Sequence, residues 1–119
     1  MRPTGKLHLG HYFGTIANWI ELQKENNGLL MVADLHALTT IESTKNIKKD
    51  SLDIVIDWLA CGIDPKKNTI FVQSQIPYHP FLMWFLACLT PVSMVELNPT
   101  YKEVLAEKLK ENGKIVREL

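Results

Sequence analysis

The sequence predicts an α/β protein built on a doubly wound parallel sheet, and three observations predict it. Helical periodicity alternates with two short apolar runs, Leu29–Ala33 and Thr69–Val72. Such runs between turn signals are the pattern of strands covered on both faces. Polar residues stand at the carboxyl end of each run: Asp34 and His36 after the first, Gln73 and Gln75 after the second. Alternation of this kind gives a parallel sheet with right-handed crossovers, whose ligands sit outside the carboxyl ends of the strands.

The elements follow in chain order. Arg2-Pro3-Thr4-Gly5 reads as a turn, since Pro fixes its φ and Gly tolerates a positive one. From Gly10, the residues Tyr12, Ile16, Trp19, Ile20 and Gln23 recur at helical spacing, and Asn26-Asn27-Gly28 suits a left-handed cap. After the first strand, Ser43 or Thr44 is placed to cap a helix running to Cys61, with Leu52, Val55, Ile56 and Leu59 on one side. Gly62-Ile63 fits the glycine-terminated helix end, and Asp64-Pro65 opens a turn into the second strand. Pro80 suits the first turn of a helix through Phe81–Leu89, which Pro91 breaks. Residues 101–112 read as a last amphipathic helix capped by Gly113. No repeat, low-complexity tract or linker divides the chain, so residues 1–119 are expected to be a single domain.

Composition excludes more than it assigns. At 119 residues, with 46% hydrophobic and 22% charged side chains, the chain reads as a globular protein able to bury a core. Thirteen Lys and Arg balance thirteen Asp and Glu, so no basic footprint announces a nucleic acid. Cys61 and Cys88 form no CxxC pair and read as small buried apolar residues in a reducing cytoplasm. Phe81–Leu89, the longest strongly apolar run, falls far short of the ~20 residues of a membrane helix. No apolar core follows Met1–Lys6, so no signal peptide is read, and the expectation is a soluble cytoplasmic protein without a membrane partner.

The stretch Lys6-Leu7-His8-Leu9-Gly10-His11 carries the chemistry. Two imidazoles stand where a helix opens, and a helix start offers unpaired N–H groups and a dipole that favours an anion. Gly10 removes a side chain, so a nucleotide can lie against the backbone. His8 and His11 can donate to phosphate oxygens, including charge that develops while a phosphoryl centre is attacked. Two other readings stand beside this one: surface or core histidines, and a metal pair. No Cys or carboxylate lies nearby in sequence to complete a metal site, and none is expected.

Met1-Arg2-Pro3-Thr4-Gly5-Lys6-Leu7-His8-Leu9-Gly10-His11-Tyr12 resembles the first signature of class I aminoacyl-tRNA synthetases, in the form used by the tryptophanyl enzymes. Three later blocks are similar to the same family: Ala33-Asp34-Leu35-His36-Ala37-Leu38-Thr39, Gly62-Ile63-Asp64-Pro65 and Phe71-Val72-Gln73-Ser74-Gln75-Ile76-Pro77. Trp84 and Glu96-Leu97 continue the likeness, which weakens after Tyr101. The resemblance implies a Rossmann-like nucleotide-binding domain of the HIGH superfamily. It is expected to be incomplete, without the family's preceding strand, its Lys-Met-Ser-Lys-Ser signature or its anticodon-binding domain.

Activity and ligands follow from the resemblance alone. It implies that L-tryptophan is activated by ATP with Mg2+ to tryptophanyl-adenylate and then passed to tRNA(Trp), in a homodimer. Arg2, Pro3 and Thr4 would lie beside ATP, with Gly10 and His11 against its adenosine and phosphates and His8 completing the signature pair. His36 would lie in the tryptophan pocket, with Asp34 at the same strand end. Gln73 and Gln75 are weaker candidates, since a strand-end polar group also serves to satisfy backbone. Trp19, Trp58 and Trp84 read as core. Alternatives are a tyrosyl-tRNA synthetase, a small HxGH nucleotidyltransferase, and a catalytically inactive fragment or binding module. The Asp-x-His-Ala-Leu-Thr block favours tryptophan over the first, and the later blocks argue against the second.

Overall fold

The two apolar runs form the two strands they predict. The structure is a computed structural model that describes residues 1–112, with side chains through Leu109. Strands β1 (Leu29–Val32) and β2 (Thr69–Val72) pair in parallel, in register from Leu29↔Thr69 to Val32↔Val72. Parallel pairing needs a crossover, supplied by helices α3 (Asp34–Ala37) and α4 (Ile47–Cys61). On the other side of β1, the Met1 amino group donates to Met31 O at 2.7 Å and Ala33 N donates to Met1 O at 2.7 Å. This pair of bonds is one rung of a parallel ladder, so Arg2 leaves the sheet in the same direction as Ala33. Three segments therefore emerge at one edge of the sheet: 2–5, 33–37 and 73–75. Burial lowers the pKa of the Met1 amine by withdrawing its charge from water.

The core lies on β1. Ile16, Leu30, Val32, Ile54, Trp58 and Ile63 form one buried cluster, with Met1, Trp19 and Val55 packed against it. One face of β1 is covered, since Leu30 and Val32 are buried, whereas on its other face Leu29 is exposed and Met31 half-buried; in β2 Thr69 is exposed and Ile70, Phe71 and Val72 are only half-buried. Among the described residues β2 pairs on one side alone, which explains its weaker cover.

Helix α4 turns a different face inward from the one its apolar count suggests. Ser51, Ile54 and Trp58 are buried, while Leu52, Ile56 and Leu59 are exposed and Val55 is half-buried. The helix is apolar around much of its circumference, and the indole at position 58 sets the buried stripe. Ser51 can accompany it because its hydroxyl donates to Ile47 O at 2.6 Å. Neither Ser43 nor Thr44 caps this helix. Asn46 occupies the cap position, and Ser43 Oγ instead accepts from Lys45 N one turn earlier. The far end is as expected: Gly62 has φ +110°, Ile63 N donates to Trp58 O at 3.0 Å, and Ile63 enters the core.

The first helix begins one residue before Gly10, with His8 as its N-cap. It runs as α1 (Leu9–His11), a π-helical segment (Tyr12–Ile16) and α2 (Ala17–Leu22). Its end departs from expectation, since none of Asn26, Asn27 or Gly28 has a positive φ. Gly28 is required for space instead: a Cβ there would stand 2.3 Å from Asn68 Oδ1. That oxygen accepts from Gly28 N, while Asn68 Nδ2 donates to Gln23 Oε1 and Asp64 O at 2.8 and 2.9 Å. Gln23 completes the knot by donating to Gly62 O and accepting from Asp64 N. Asn68→Ala is expected to lower stability by about 1–3 kcal/mol, because it strands a buried donor and acceptor. A urea midpoint unchanged from the parent would refute that role.

The chain divides into two compact units, Met1–Pro80 and a second from Phe81 onward. Helix α5 (Tyr78–Leu89), whose first three residues belong to the first unit, ends before Pro91, which opens α6 (Val92–Val95). Helix α7 (Pro99–Asn112) starts two residues earlier than its periodicity suggests. Asn98 Oδ1 accepts from Thr100 N and Tyr101 N, and Pro99 takes the first helical position, where its missing donor costs nothing. The expected cap at Gly113 lies outside the described residues. Trp84 and Cys88, read as core, are both exposed, because α5 carries apolar residues on every side and none of them is buried. Cys61 is half-buried, and both thiols are free. No described helix is long and apolar enough to cross a membrane.

Candidate functional site

The site grows from the turn at the amino end. Thr4 N donates to Arg2 O at 3.1 Å, and Gly5 takes φ +123°, which only glycine adopts cheaply. Pro3 is fully buried, so it shapes this turn, while Arg2 and Thr4 are exposed.

His8 and His11 cap one another. His8 Nδ1 accepts from Gly10 N at 3.1 Å, His11 Nδ1 accepts from His8 N at 3.3 Å, and the ring centroids lie 3.9 Å apart. This is a capping box made from two imidazoles rather than Ser and Glu. Its consequence is chemical. With Nδ1 accepting, each neutral ring carries its proton on Nε2 and offers that N–H as a donor. Protonating either ring would turn its acceptor into a donor and break its cap. The expectation of free helix-start amides changes accordingly, since the Gly10, His11 and Tyr12 amides all bond to His8. The donors left over at this helix start are the two Nε2–H groups. Gly10 is tight against the first ring, where a Cβ would stand 2.9 Å from His8 Cε1.

Arg2, Thr4 and His11 share one open pocket of about 420 Å³, completed by Met1, Thr15 and Trp19. Thr15 and Trp19 lie four and eight residues after His11, a helical stripe visible in the sequence once His11 is taken as its anchor. Trp19 therefore does two jobs: it lines this pocket and stacks edge-on against Trp58, with ring centroids 5.3 Å apart.

Asp34, His36 and Gln73 form a second group at the strand ends. Asp34 Oδ1 accepts from Ser74 N at 2.9 Å, and Gln73 Oε1 accepts from His36 N at 3.1 Å. His36 and Gln75 are exposed. Arg2, Thr4 and His11 thus come together in the pocket, and Asp34, His36 and Gln73 come together beside it along the same sheet edge.

The model for class I tRNA synthetases of the tryptophan and tyrosine type matches residues 1–118. The chain belongs to this family. Among curated relatives of this synthetase family, the tryptophan–tRNA ligase of Aquifex aeolicus is 50% identical over 105 residues, 87% of this chain and 27% of the relative. The tryptophan–tRNA ligase of Ralstonia nicotianae is 50% identical over 112 residues, 93% of this chain and 28% of the relative. Among solved structures, the Campylobacter jejuni tryptophanyl-tRNA synthetase complexed with ADP and tryptophan superposes with a TM-score of 0.79 at 32% identity. That match covers 90% of this chain and 34% of the other. The chain spans about a third or less of the relatives it matches, and it shares its parallel α/β fold with the solved structure.

Proposed function

We propose that this chain supplies the ATP-binding signature of a cytoplasmic, homodimeric tryptophan–tRNA ligase. The enzyme joins L-tryptophan to tRNA(Trp) through tryptophanyl-adenylate. The His8–His11 cap carries the reading, because it leaves the Nε2–H of each ring as a donor at the helix start, with His11 in the pocket that holds Arg2 and Thr4 and His8 in a separate one with Leu7 and Tyr12. The tryptophan carboxylate attacks the α-phosphorus of ATP, the bond to the bridging oxygen breaks, and pyrophosphate leaves. Charge grows on phosphate oxygens during this step, and preorganised donors stabilise it without reorganising. Arg2 adds a fixed positive charge and Thr4 a hydroxyl, Gly10 allows close approach, and His36 faces the amino acid. Mg2+ would come bound to the ATP phosphates.

Tryptophan-dependent ATP–pyrophosphate exchange tests the proposal, measured on this chain and on the protein expressed from its own gene. Exchange in the gene product with tryptophan, and at least tenfold less with tyrosine, is the expected result. Exchange with tyrosine alone would favour the tyrosyl reading. A chain active nowhere while still binding nucleotide would favour the binding-module reading, which the small share of the relatives covered keeps in play.

A further inference from the structure

Two side chains that look like substrate ligands commit their oxygens to backbone instead. Asp34 Oδ1 accepts from Leu35 N and from Ser74 N, both at 2.9 Å. Gln73 Oε1 accepts from His36 N at 3.1 Å. The two long-range bonds run in opposite senses: a side chain after β1 holds backbone after β2, and a side chain after β2 holds backbone after β1. They begin where the β-ladder ends, at Val32↔Val72. Beyond that register no ladder bond fixes the two segments, and these two bonds take over the task.

Between them stands His36, whose amide is one of the held groups and whose side chain is exposed. The Cα of His36 sets where its imidazole starts, so anything that fixes its amide fixes the reach of its ring. Gln73 does this directly. Asp34 does it at one remove, by fixing the backbone of Ser74, the neighbour of Gln73. We propose that Asp34 and Gln73 are positioning residues that act as one reciprocal clamp. They hold His36 at the amino-acid site and do not themselves contact the amino acid. The inference rests on the reading of His36 as a substrate contact.

The chemistry of the clamp separates it from a direct contact. A clamp needs an acceptor oxygen at each position and no charge. Asparagine at position 34 keeps the acceptor and removes the charge; glutamate at position 73 keeps the acceptor and adds one. In the protein expressed from its own gene, Asp34→Ala and Gln73→Ala are expected to raise KM for tryptophan about five- to tenfold, the worth of roughly one lost hydrogen bond. With kcat nearly unchanged, such a loss is one of uniform binding. Asp34→Asn and Gln73→Glu are expected to recover most of it. The double alanine variant is expected to be little worse than either single one, because either loss opens the same clamp. An Asp34→Asn protein as impaired as Asp34→Ala would overturn the proposal in favour of a charge contact with substrate.

Amide hydrogen exchange read by NMR supplies the independent arm. The Ser74 amide is expected to exchange several-fold faster in Asp34→Ala but not in Asp34→Asn, and the His36 amide several-fold faster in Gln73→Ala. Unchanged exchange at both amides would overturn the clamp whatever the kinetics. If Asp34→Ala does not fold, Gln73→Ala decides, since it removes one bond from a half-buried side chain. A parent protein that ignores tryptophan would overturn the function proposed above, and the exchange arm would still decide whether the clamp exists.

Discussion

Replacing His11 by alanine is expected to lower tryptophan-dependent ATP–pyrophosphate exchange by about 10²- to 10³-fold, the usual cost of removing one preorganised donor from a transition state. Two losses combine in this variant. One Nε2–H donor of a ring that lines the pocket disappears, and so does the acceptor that holds His8 N. The second loss frees the amino end of α1 and slackens the His8 ring, so His8→Ala is expected to fall in the same range. The two substitutions together are expected to cost less than the product of their separate effects, because each ring already depends on the other. The loss belongs in kcat more than in the KM for ATP, since the donors act on charge that develops during reaction. Exchange rates within twofold of the parent for His11→Ala would discard the assignment.

The largest stability effect is expected at Trp58. Its side chain is fully buried, it closes the cluster of Ile16, Val32 and Ile54, and it meets Trp19 edge-on at an interplanar angle of 83°. Trp58→Ala is expected to cost about 3–5 kcal/mol, the range for deleting a large aromatic from a core. Against a typical total of roughly 5–15 kcal/mol, such a loss unfolds a substantial fraction of molecules. Trp58→Phe is expected to cost far less, because it keeps an aromatic edge for Trp19 and deletes an indole N–H that has no partner among the described residues. Urea unfolding of both variants checks this, and a Trp58→Ala midpoint equal to that of Trp58→Phe would sink it. Through Trp19, which also lines the pocket of Arg2, Thr4 and His11, the same substitution is expected to loosen that pocket.

What was legible in the sequence follows from the range of the forces involved. Both strands, the Gly62 helix end and the histidine pair were readable because local patterns fix them: apolar runs, a positive-φ glycine, and two rings three residues apart. The inward face of α4 was not, because Ser51 is buried by a bond to its own helix, which a count of apolar residues cannot register. Gly28 was read as a cap, whereas its real constraint is Asn68, forty residues away. Asp34 and Gln73 were readable as strand-end polar groups, but only the parallel register shows that each one's oxygen meets the other segment's backbone. Trp84 and Cys88 were misplaced because an apolar side chain reports that burial would be favourable, not that a partner surface lies within the same described chain.

The π-helical segment Tyr12–Ile16 has a consequence for how this chain tolerates change. A wide turn is an α-helix carrying one surplus residue, and each residue of an α-helix advances the side chains by about 100°. Drawing the same residues into a regular turn would swing all that follows around the axis, pulling Trp19 away from both the pocket and Trp58, whereas dropping one position as the turn tightens would leave Trp19 where it is. Side-chain identity at exposed Phe13 and Gly14 is therefore open to drift, but the number of residues between His11 and Ile16 and the width of the turn can change only together.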